Sequence, residues 1–453
     1  MLRTLTCISL FCSASAWAYG DNGMLTYGSV NAADTSRNLH GYVGALSNQA
    51  NQNVGDVPGN RYNGSLEVDY HDKARSTFEK ENRFTFAAQY NDAGLTQYSV
   101  QEAYGKIPLS PKNTIQFGRQ ILDWSMADST WGFGKLNNRR NFDYFTPGQE
   151  GLVGLQFTRK SANGMRYRAF YSPLYVPELN PGLDINKSDQ TITTRSPWGN
   201  PPSSSTTYNG SEVPVRYDVD YPSLSKVVYR HSVGANIGYE SKHWVMDNFF
   251  IRKPENQIST KVNWKFNTID DQIEVKVKPQ FYYHDVYGST LKWRNKDVEI
   301  YASGIAIRPN TFPDGDREAY QYTDIKTEKR REDYVGGGMS KTNDLYGVGF
   351  NYIARLSPYD RQKEELTEDP RWNQAVDVFA YYAVTRSLTF FTDVKYDMLT
   401  TDRLMMAKVS YNVTRSFQML AGVNMIGTPN DGKSYWSTFT NNDSVYGSLR
   451  YVF

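Results

Sequence analysis

Cysteine is nearly absent from this chain of 453 residues, because Cys7 and Cys12, both close to the N-terminus, are its only two. The rest of the sequence therefore offers no disulfide, no zinc–thiolate site and no cysteine nucleophile. An excess of one charge is also missing: 50 Lys and Arg stand against 48 Asp and Glu, a formal net charge of +2. Balanced charge gives no general basic field, so we expect no nucleic-acid partner.

Long apolar runs and catalytic motifs are also missing. No segment beyond the N-terminus is long and apolar enough to cross a bilayer as a helix, and the mean hydropathy is −0.63. The five histidines lack the spacing of metal ligands, and neither a phosphate loop nor a Gly-x-Ser-x-Gly motif is present. We therefore expect no cofactor, no metal and no enzymatic activity.

The N-terminal segment has the features of a secretory signal peptide. Arg3 supplies a positive start, Leu5–Ala14 is a short apolar stretch, and Ala16-Trp17-Ala18 fits a small-x-small cleavage site. The sequence therefore predicts a cleaved signal over residues 1–18 and a single exported domain over residues 19–453.

Polar and apolar side chains alternate along many segments. In Leu388–Asp397, for example, Leu388, Phe390 and Val394 share one face, whereas Asp393 and Lys395 lie on the other. Such a period of two predicts strands with one apolar and one polar face. Soluble antiparallel sheets give the same pattern. The predicted strands are 39–48, 62–70, 83–90, 98–107, 113–121, 151–159, 165–171, 232–240, 244–252, 257–266, 273–284, 345–356, 375–382, 388–396, 404–411, 417–425 and 444–453.

The links between these strands alternate in length. Pro108–Lys112, Ser161–Gly164, Ser241–His243 and Asn267–Asp271 are short, whereas Leu122–Glu150 and Ser172–Leu224 are long and polar. Short turns at one end and long loops at the other are typical of outer-membrane barrels. The sequence therefore predicts an all-β, transmembrane, antiparallel up-and-down β-barrel.

Two segments resemble known barrels. Ser444–Phe453 alternates and closes on a terminal phenylalanine, so it resembles the C-terminal signature of bacterial outer-membrane barrels and porins. That resemblance implies an outer-membrane location in a diderm bacterium, contact with outer-membrane lipid, and a barrel assembly machinery that reads the Phe453 strand. Glu102-Ala103-Tyr104, Gly118-Arg119-Gln120 and Trp124 resemble paired strands of porin-like and alginate-export-like barrels. This second resemblance implies a channel-type barrel and assigns no binding residue.

Strand number decides the width of the lumen, since barrels of 16–18 strands leave an aqueous channel. The alternation does not assign strands within residues 285–344. This region must hold at least one more strand, because an even number of strands brings both termini to the same, periplasmic side of the membrane. We therefore predict 18 strands, with 16 as the alternative. A monomer and a homotrimer are both compatible with these numbers.

Candidate pore residues come from the polar faces of the strands and from one loop. The predicted lumen lining has more basic than acidic residues, which favours mild anion preference: Arg83, Arg166, Arg168, Glu274, Lys276, Lys278, Asp377, Asp393, Lys395, Lys408 and Arg450. Loop Leu122–Glu150 is too rich in aromatics to be freely solvated. It is predicted to fold inward as a constriction, with an outward cap as the alternative. Its charged candidates are Asp123, Asp128, Lys135, Arg139, Arg140, Asp143 and Glu150.

These observations favour passive diffusion of small hydrophilic solutes through an outer-membrane channel. The first alternative is a structural or adhesive barrel that acts through its surface loops, and loop Ser172–Leu224 has the composition of an exposed surface. The second is an outer-membrane hydrolase in which His284 partners a serine or aspartate from elsewhere.

Overall fold

A computed structural model describes residues 39–50, 60–73, 81–91, 96–140, 144–145, 148–178, 183–196, 198–199, 201–310, 323–325, 331–356, 370–429 and 434–452. The predicted signal peptide, Asp143 and Phe453 lie outside these residues, as does the side chain of Arg140. Eighteen strands form one sheet. They are Leu39–Ala50, Asn60–Lys73, Glu81–Asn91, Thr96–Ser110, Asn113–Gln120, Leu152–Lys160, Met165–Ser172, Ser232–Glu240, Trp244–Pro254, Tyr283–Arg294, Val298–Asn310, Glu332–Thr342, Tyr346–Arg355, Gln374–Ala383, Leu388–Asp397, Arg403–Asn412, Phe417–Gly427 and Ser444–Val452.

This sheet closes on itself. Each strand pairs antiparallel with the next, and the first strand pairs antiparallel with the last, with Val43 opposite Tyr451. Closure removes the free strand edges that would otherwise invite pairing with other chains. The predicted 18-stranded antiparallel barrel is therefore confirmed.

The strand count is right, but two of the predicted strands are misplaced. Segments 257–266 and 273–284 form strands Ser259–Asn267 and Gln272–Gln280, which pair with each other outside the barrel. The unassigned region and its margin supply three barrel strands instead, Tyr283–Arg294, Val298–Asn310 and Glu332–Thr342. The short link Asn267–Asp271 is accordingly a hairpin within a loop and does not join barrel strands.

The outer face of the barrel is apolar, and its inner face is polar except near the end that carries the long loops. In Phe417–Gly427, the outward side chains of Phe417, Met419 and Met425 are exposed, whereas the inward Gln418 is 1% exposed. The same alternation runs round the wall, where exposed side chains include Phe84, Phe117, Leu155, Tyr167, Ile237, Met246, Tyr287, Ile300, Met339, Phe350, Val378, Phe390, Met405 and Leu449. An outward apolar band with a polar interior is the arrangement that a barrel in a lipid bilayer requires.

Three long connections emerge from one end of the barrel and share a small sheet. It contains Ser205–Tyr208, Ser211–Val219, Gln272–Gln280, Ser259–Asn267 and Thr323–Ile325, in that order. Val213, Val215, Ile273 and Val275 form its buried core. We call this unit the loop sheet. Among the described residues, no helix is long and apolar enough to span a membrane. The short helices in the described ranges are Met126–Trp131, Leu224–Val228 and the 3-10 helix Tyr435–Asn442.

Candidate pore constriction

Residues Leu122–Glu150 are called the inner loop from here on, and the described part of this loop lies inside the barrel. The backbone N–H of Met126 donates to Thr290 Oγ1 at 3.3 Å, and that of Ala127 donates to Ser303 Oγ at 3.3 Å. Thr290 and Ser303 lie opposite each other on neighbouring strands, and both are buried on the inner face. The helix Met126–Trp131 therefore rests on the inner face of the wall.

Aromatic side chains anchor the inner loop near the long-loop end of the barrel. Trp124 packs on Phe249 at 6.1 Å between ring centroids, and Phe133 packs on Tyr334 at 4.5 Å. The wall is itself apolar at this level, where the inward residues include Ile251, Val286, Ile305, Ile307, Ile353, Leu404 and Ile426. Burying each large apolar side chain contributes roughly 1.5–3 kcal/mol, so the inner loop is held mainly by hydrophobic packing.

A buried ion pair fixes the end of the inner loop to the wall. Glu150, which is fully buried, accepts from Arg119 at 2.7 Å and from the Ser99 hydroxyl. Close backbone packing supports this contact: Gly118 has a φ of 117°, and a Cβ there would lie 2.2 Å from the Ala103 carbonyl oxygen. The motif that resembles porin-like barrels thus builds the point where the inner loop rejoins the barrel.

Asp128 stabilises the inner loop through hydrogen bonds to other residues of the same loop. Its carboxylate accepts from the backbone N–H of Lys135 at 2.8 Å and of Leu136 at 3.0 Å. Burial raises the pKa of Asp128 above its usual value, although these backbone hydrogen bonds oppose the shift. Lys135 in turn reaches the wall through an ion pair with Glu332 at 3.0 Å.

Arg139 connects the inner loop to a second long loop. It forms an ion pair with Glu178 at 3.1 Å, and both side chains are buried. Burial by itself would lower the pKa of Arg139, but the Glu178 carboxylate, together with Tyr435 and Tyr144, raises that pKa above its usual value. The candidate constriction is therefore linked to the loop that carries the first strands of the loop sheet.

A cavity lies between the inner loop and the opposite wall. Five charged residues of both signs line it: Asp128, Arg139, Arg371, Asp393 and Lys395. Tyr144, Trp131 and Trp372 add aromatic surface. Opposed charges on a narrow passage can act on the charge and size of a solute.

A second group of charges lies on the wall beside the inner loop. Arg168 pairs with Asp247 at 2.8 Å and with Asp123, and Arg166 pairs with Asp247 at 3.0 Å. The Asp123 side chain is 73% exposed although the inner loop holds it inside the barrel. Space for water therefore adjoins this part of the inner loop.

The remaining lumen candidates lie on the inner face in polar or aromatic contacts. Lys395 pairs with Asp393 at 2.8 Å and with Asp377 at 3.2 Å, and Asn351 donates to Asp377 at 2.8 Å. Lys408 lies 4.5 Å from the centre of the Phe391 ring. Elsewhere on the wall, Arg83 pairs with Glu102 at 3.1 Å, and Arg450 donates to Gln418 at 3.3 Å.

Three lumen candidates are misplaced in the sequence analysis. Glu274, Lys276 and Lys278 belong to strand Gln272–Gln280 of the loop sheet, so their assignment to the barrel wall is wrong. Two inward acids, Glu102 and Asp247, were overlooked, although each lies in a predicted strand. They pair with Arg83, Arg166 and Arg168, so the wall is less basic than the candidate set suggested.

The described ranges contain no group of three or more His, Cys, Asp or Glu placed to hold a metal ion. His284 is buried on the barrel wall opposite Lys253 of the neighbouring strand.

The wall closes on itself, long loops leave one end and short turns the other, and one loop is held inside. Together these features define a porin-type barrel. No family model matches the sequence, and no curated protein is significantly similar to it. Similar solved structures include OmpF of Salmonella typhi in complex with daunomycin, at 8% identity over 92% of this chain and 97% of that chain, with a TM-score of 0.45.

Two further similar structures are OccK2 (OpdF) of Pseudomonas aeruginosa with glucuronate and a mutant of the Rh. blastica porin. OccK2 is 9% identical over 92% of this chain and 97% of its own, with a TM-score of 0.46. The Rh. blastica porin is 12% identical over 92% and 99%, with a TM-score of 0.37. At such low similarity, the assignment of the fold rests on the strand pairing of this chain.

Proposed function

We propose that this protein is an outer-membrane channel through which small hydrophilic solutes diffuse, and that the inner loop forms its constriction. One observation carries the proposal: the barrel has an apolar outer face and a mainly polar lumen, and a charged loop is fixed to the inner wall of that lumen. Eighteen-stranded barrels are wide enough for an aqueous path. The exposed Asp123 side chain inside the barrel supports a hydrated lumen.

Mild anion preference belongs to the same proposal. The cavity beside the inner loop is lined by three cationic side chains, Arg139, Arg371 and Lys395, and by two carboxylates, Asp128 and Asp393. This small excess of positive charge on the cavity lining supports a modest preference for anions.

Single-channel conductance in a planar bilayer tests the proposal, with refolded residues 19–453 and a salt gradient. We expect steady openings and a reversal potential that favours anions. Lys395→Gln should shift that potential towards cations, because it leaves Asp377 and Asp393 without their common cation. Lys187→Gln, at an exposed site in a long loop, is the matched control. Heat-modifiable electrophoretic mobility is the sign that the barrel has folded. If such folded protein shows no conductance, the proposed channel function is refuted.

The loop sheet favours a second candidate function, that of an adhesive barrel acting through its surface. It has a separate apolar core and joins strands from three connections. Deletion of residues 205–219 should abolish cell attachment if the protein is adhesive. If the protein is only a channel, the deletion should leave both attachment and conductance unchanged.

A further inference from the structure

Arg371 lies outside the inner loop but holds it at two points. Its Nη1 donates to the Gly132 carbonyl at 3.1 Å, and its Nη2 donates to the Tyr144 carbonyl at 2.9 Å. Arg371 comes from the segment just before strand Gln374–Ala383 and is 8% exposed. One planar guanidinium thus bridges the two sides of the inner loop.

A third loop supports this guanidinium. Arg371 Cζ lies 4.9 Å from the centre of the Trp436 ring, and Trp436 Nε1 donates to the Arg371 carbonyl at 3.1 Å. Trp436 belongs to the 3-10 helix Tyr435–Asn442, whose Phe439 stacks on Tyr144 at 4.9 Å. Arg371 is therefore the point at which segments from three connections meet beside the cavity.

The surroundings of Arg371 are unusual for a buried cation. Within the described residues, its hydrogen bonds go to carbonyl oxygens, its Nε has no partner, and no carboxylate forms an ion pair with it. Burial lowers the pKa of Arg371 to about 10. Burying a cation is costly, and the two hydrogen bonds to carbonyl oxygens and the contact with the Trp436 ring help to offset this cost.

We propose that Arg371 is a positioning residue that sets the width of the constriction by holding Gly132 and Tyr144 at a fixed separation. This inference rests on the proposed channel function. Only a planar, forked donor can bridge both carbonyls while stacking on Trp436. Lysine retains the charge but offers a single ammonium on a flexible stem, so Arg371→Lys separates geometry from charge.

The test compares Arg371→Lys with the wild-type protein in planar bilayers, with polyethylene glycols of graded size as pore-filling probes. We expect roughly twofold higher conductance, a larger polymer cut-off and more frequent flicker, since a freed loop widens the narrowest part of the pore. Arg195→Lys is the matched control, because Arg195 lies in an exposed ion pair of another loop. Heat-modifiable mobility establishes that each barrel has folded.

The outcomes separate the inference from the channel proposal. A wild-type protein without conductance refutes the channel function itself. If the wild type conducts and Arg371→Lys leaves both conductance and cut-off unchanged, or if Arg195→Lys raises them equally, the role of Arg371 is refuted. Should Arg371→Lys fail to fold, Trp436→Phe removes the indole donor to the Arg371 carbonyl and should change both properties in the same direction by less.

Discussion

Replacing Glu150 by glutamine tests how the inner loop is fixed to the wall. Glu150→Gln keeps the shape of the side chain but removes the charge that faces Arg119 at 2.7 Å, where the two side chains are 0% and 13% exposed. Breaking a buried pair from one side costs about 3–5 kcal/mol. Because glutamine can still accept one hydrogen bond from Arg119, we expect a loss near the lower end, about 3 kcal/mol.

A second ion pair in the same protein supplies the control. Arg195 and Asp184 approach to 2.6 Å, but both side chains are 46% exposed. Exposed pairs contribute roughly 0–1 kcal/mol, so Asp184→Asn should scarcely change the free energy of unfolding. The assay is reversible urea unfolding in lipid vesicles, followed by tryptophan fluorescence. Similar losses in the two variants would refute the reasoning that burial, and not the short distance, makes the Glu150 contact important.

Three further predictions concern the inner loop. Asp123→Cys should react quickly with a negatively charged methanethiosulfonate and change the conductance, because this side chain is exposed inside the barrel. Asp377→Cys, at a fully buried position, is the control and should react far more slowly. Equal reaction rates would contradict a hydrated space at Asp123. The backbone N–H of Ala127 donates to Ser303 Oγ at 3.3 Å, so the two residues are neighbours. We therefore expect oxidation of the double variant Ala127→Cys/Ser303→Cys to cross-link the inner loop to the wall. A free-thiol assay that finds no cross-link would argue against the inward position. Burial raises the pKa of Asp128, so the folded protein keeps the Asp128 carboxyl protonated over a pH range in which the unfolded chain loses this proton. The free energy of unfolding should therefore fall as pH rises through this range. Urea titrations at several pH values should show that Asp128→Asn removes this contribution to the pH dependence.

Period-two patterns predict the barrel well where its two faces meet different solvents. Phe417–Gly427 and Leu388–Asp397 have lipid on one side and a polar lumen on the other, so their bounds follow closely from the sequence. The pattern fails in Val298–Asn310 because Ile305 and Ile307 face inward, where the inner loop covers them. Apolar residues then lie on the inner face as well, so the apolar positions of this strand switch from even to odd residue numbers.

The same pattern cannot tell a barrel strand from a loop strand with one buried face. Gln272–Gln280 alternates because Ile273 and Val275 face the core of the loop sheet, and this led to the misplaced lumen candidates. Glu102 and Asp247 could have been recognised from the strands that were predicted around them. Arg371 had no such signal, because its importance comes from carbonyl groups far away in the sequence.

The pairing of the first barrel strand with the last has a consequence for how the molecule forms. Val43 and Tyr451 become neighbours although almost the whole chain separates them, whereas most other wall contacts join strands that follow each other. Contacts of high sequence separation slow folding, since the entropy of loop closure must be overcome before they form. Closure of the wall should therefore be a late and slow event. Until it occurs, Leu39–Ala50 and Ser444–Val452 each present an open edge, and this is the interval in which the chain is most exposed to aggregation.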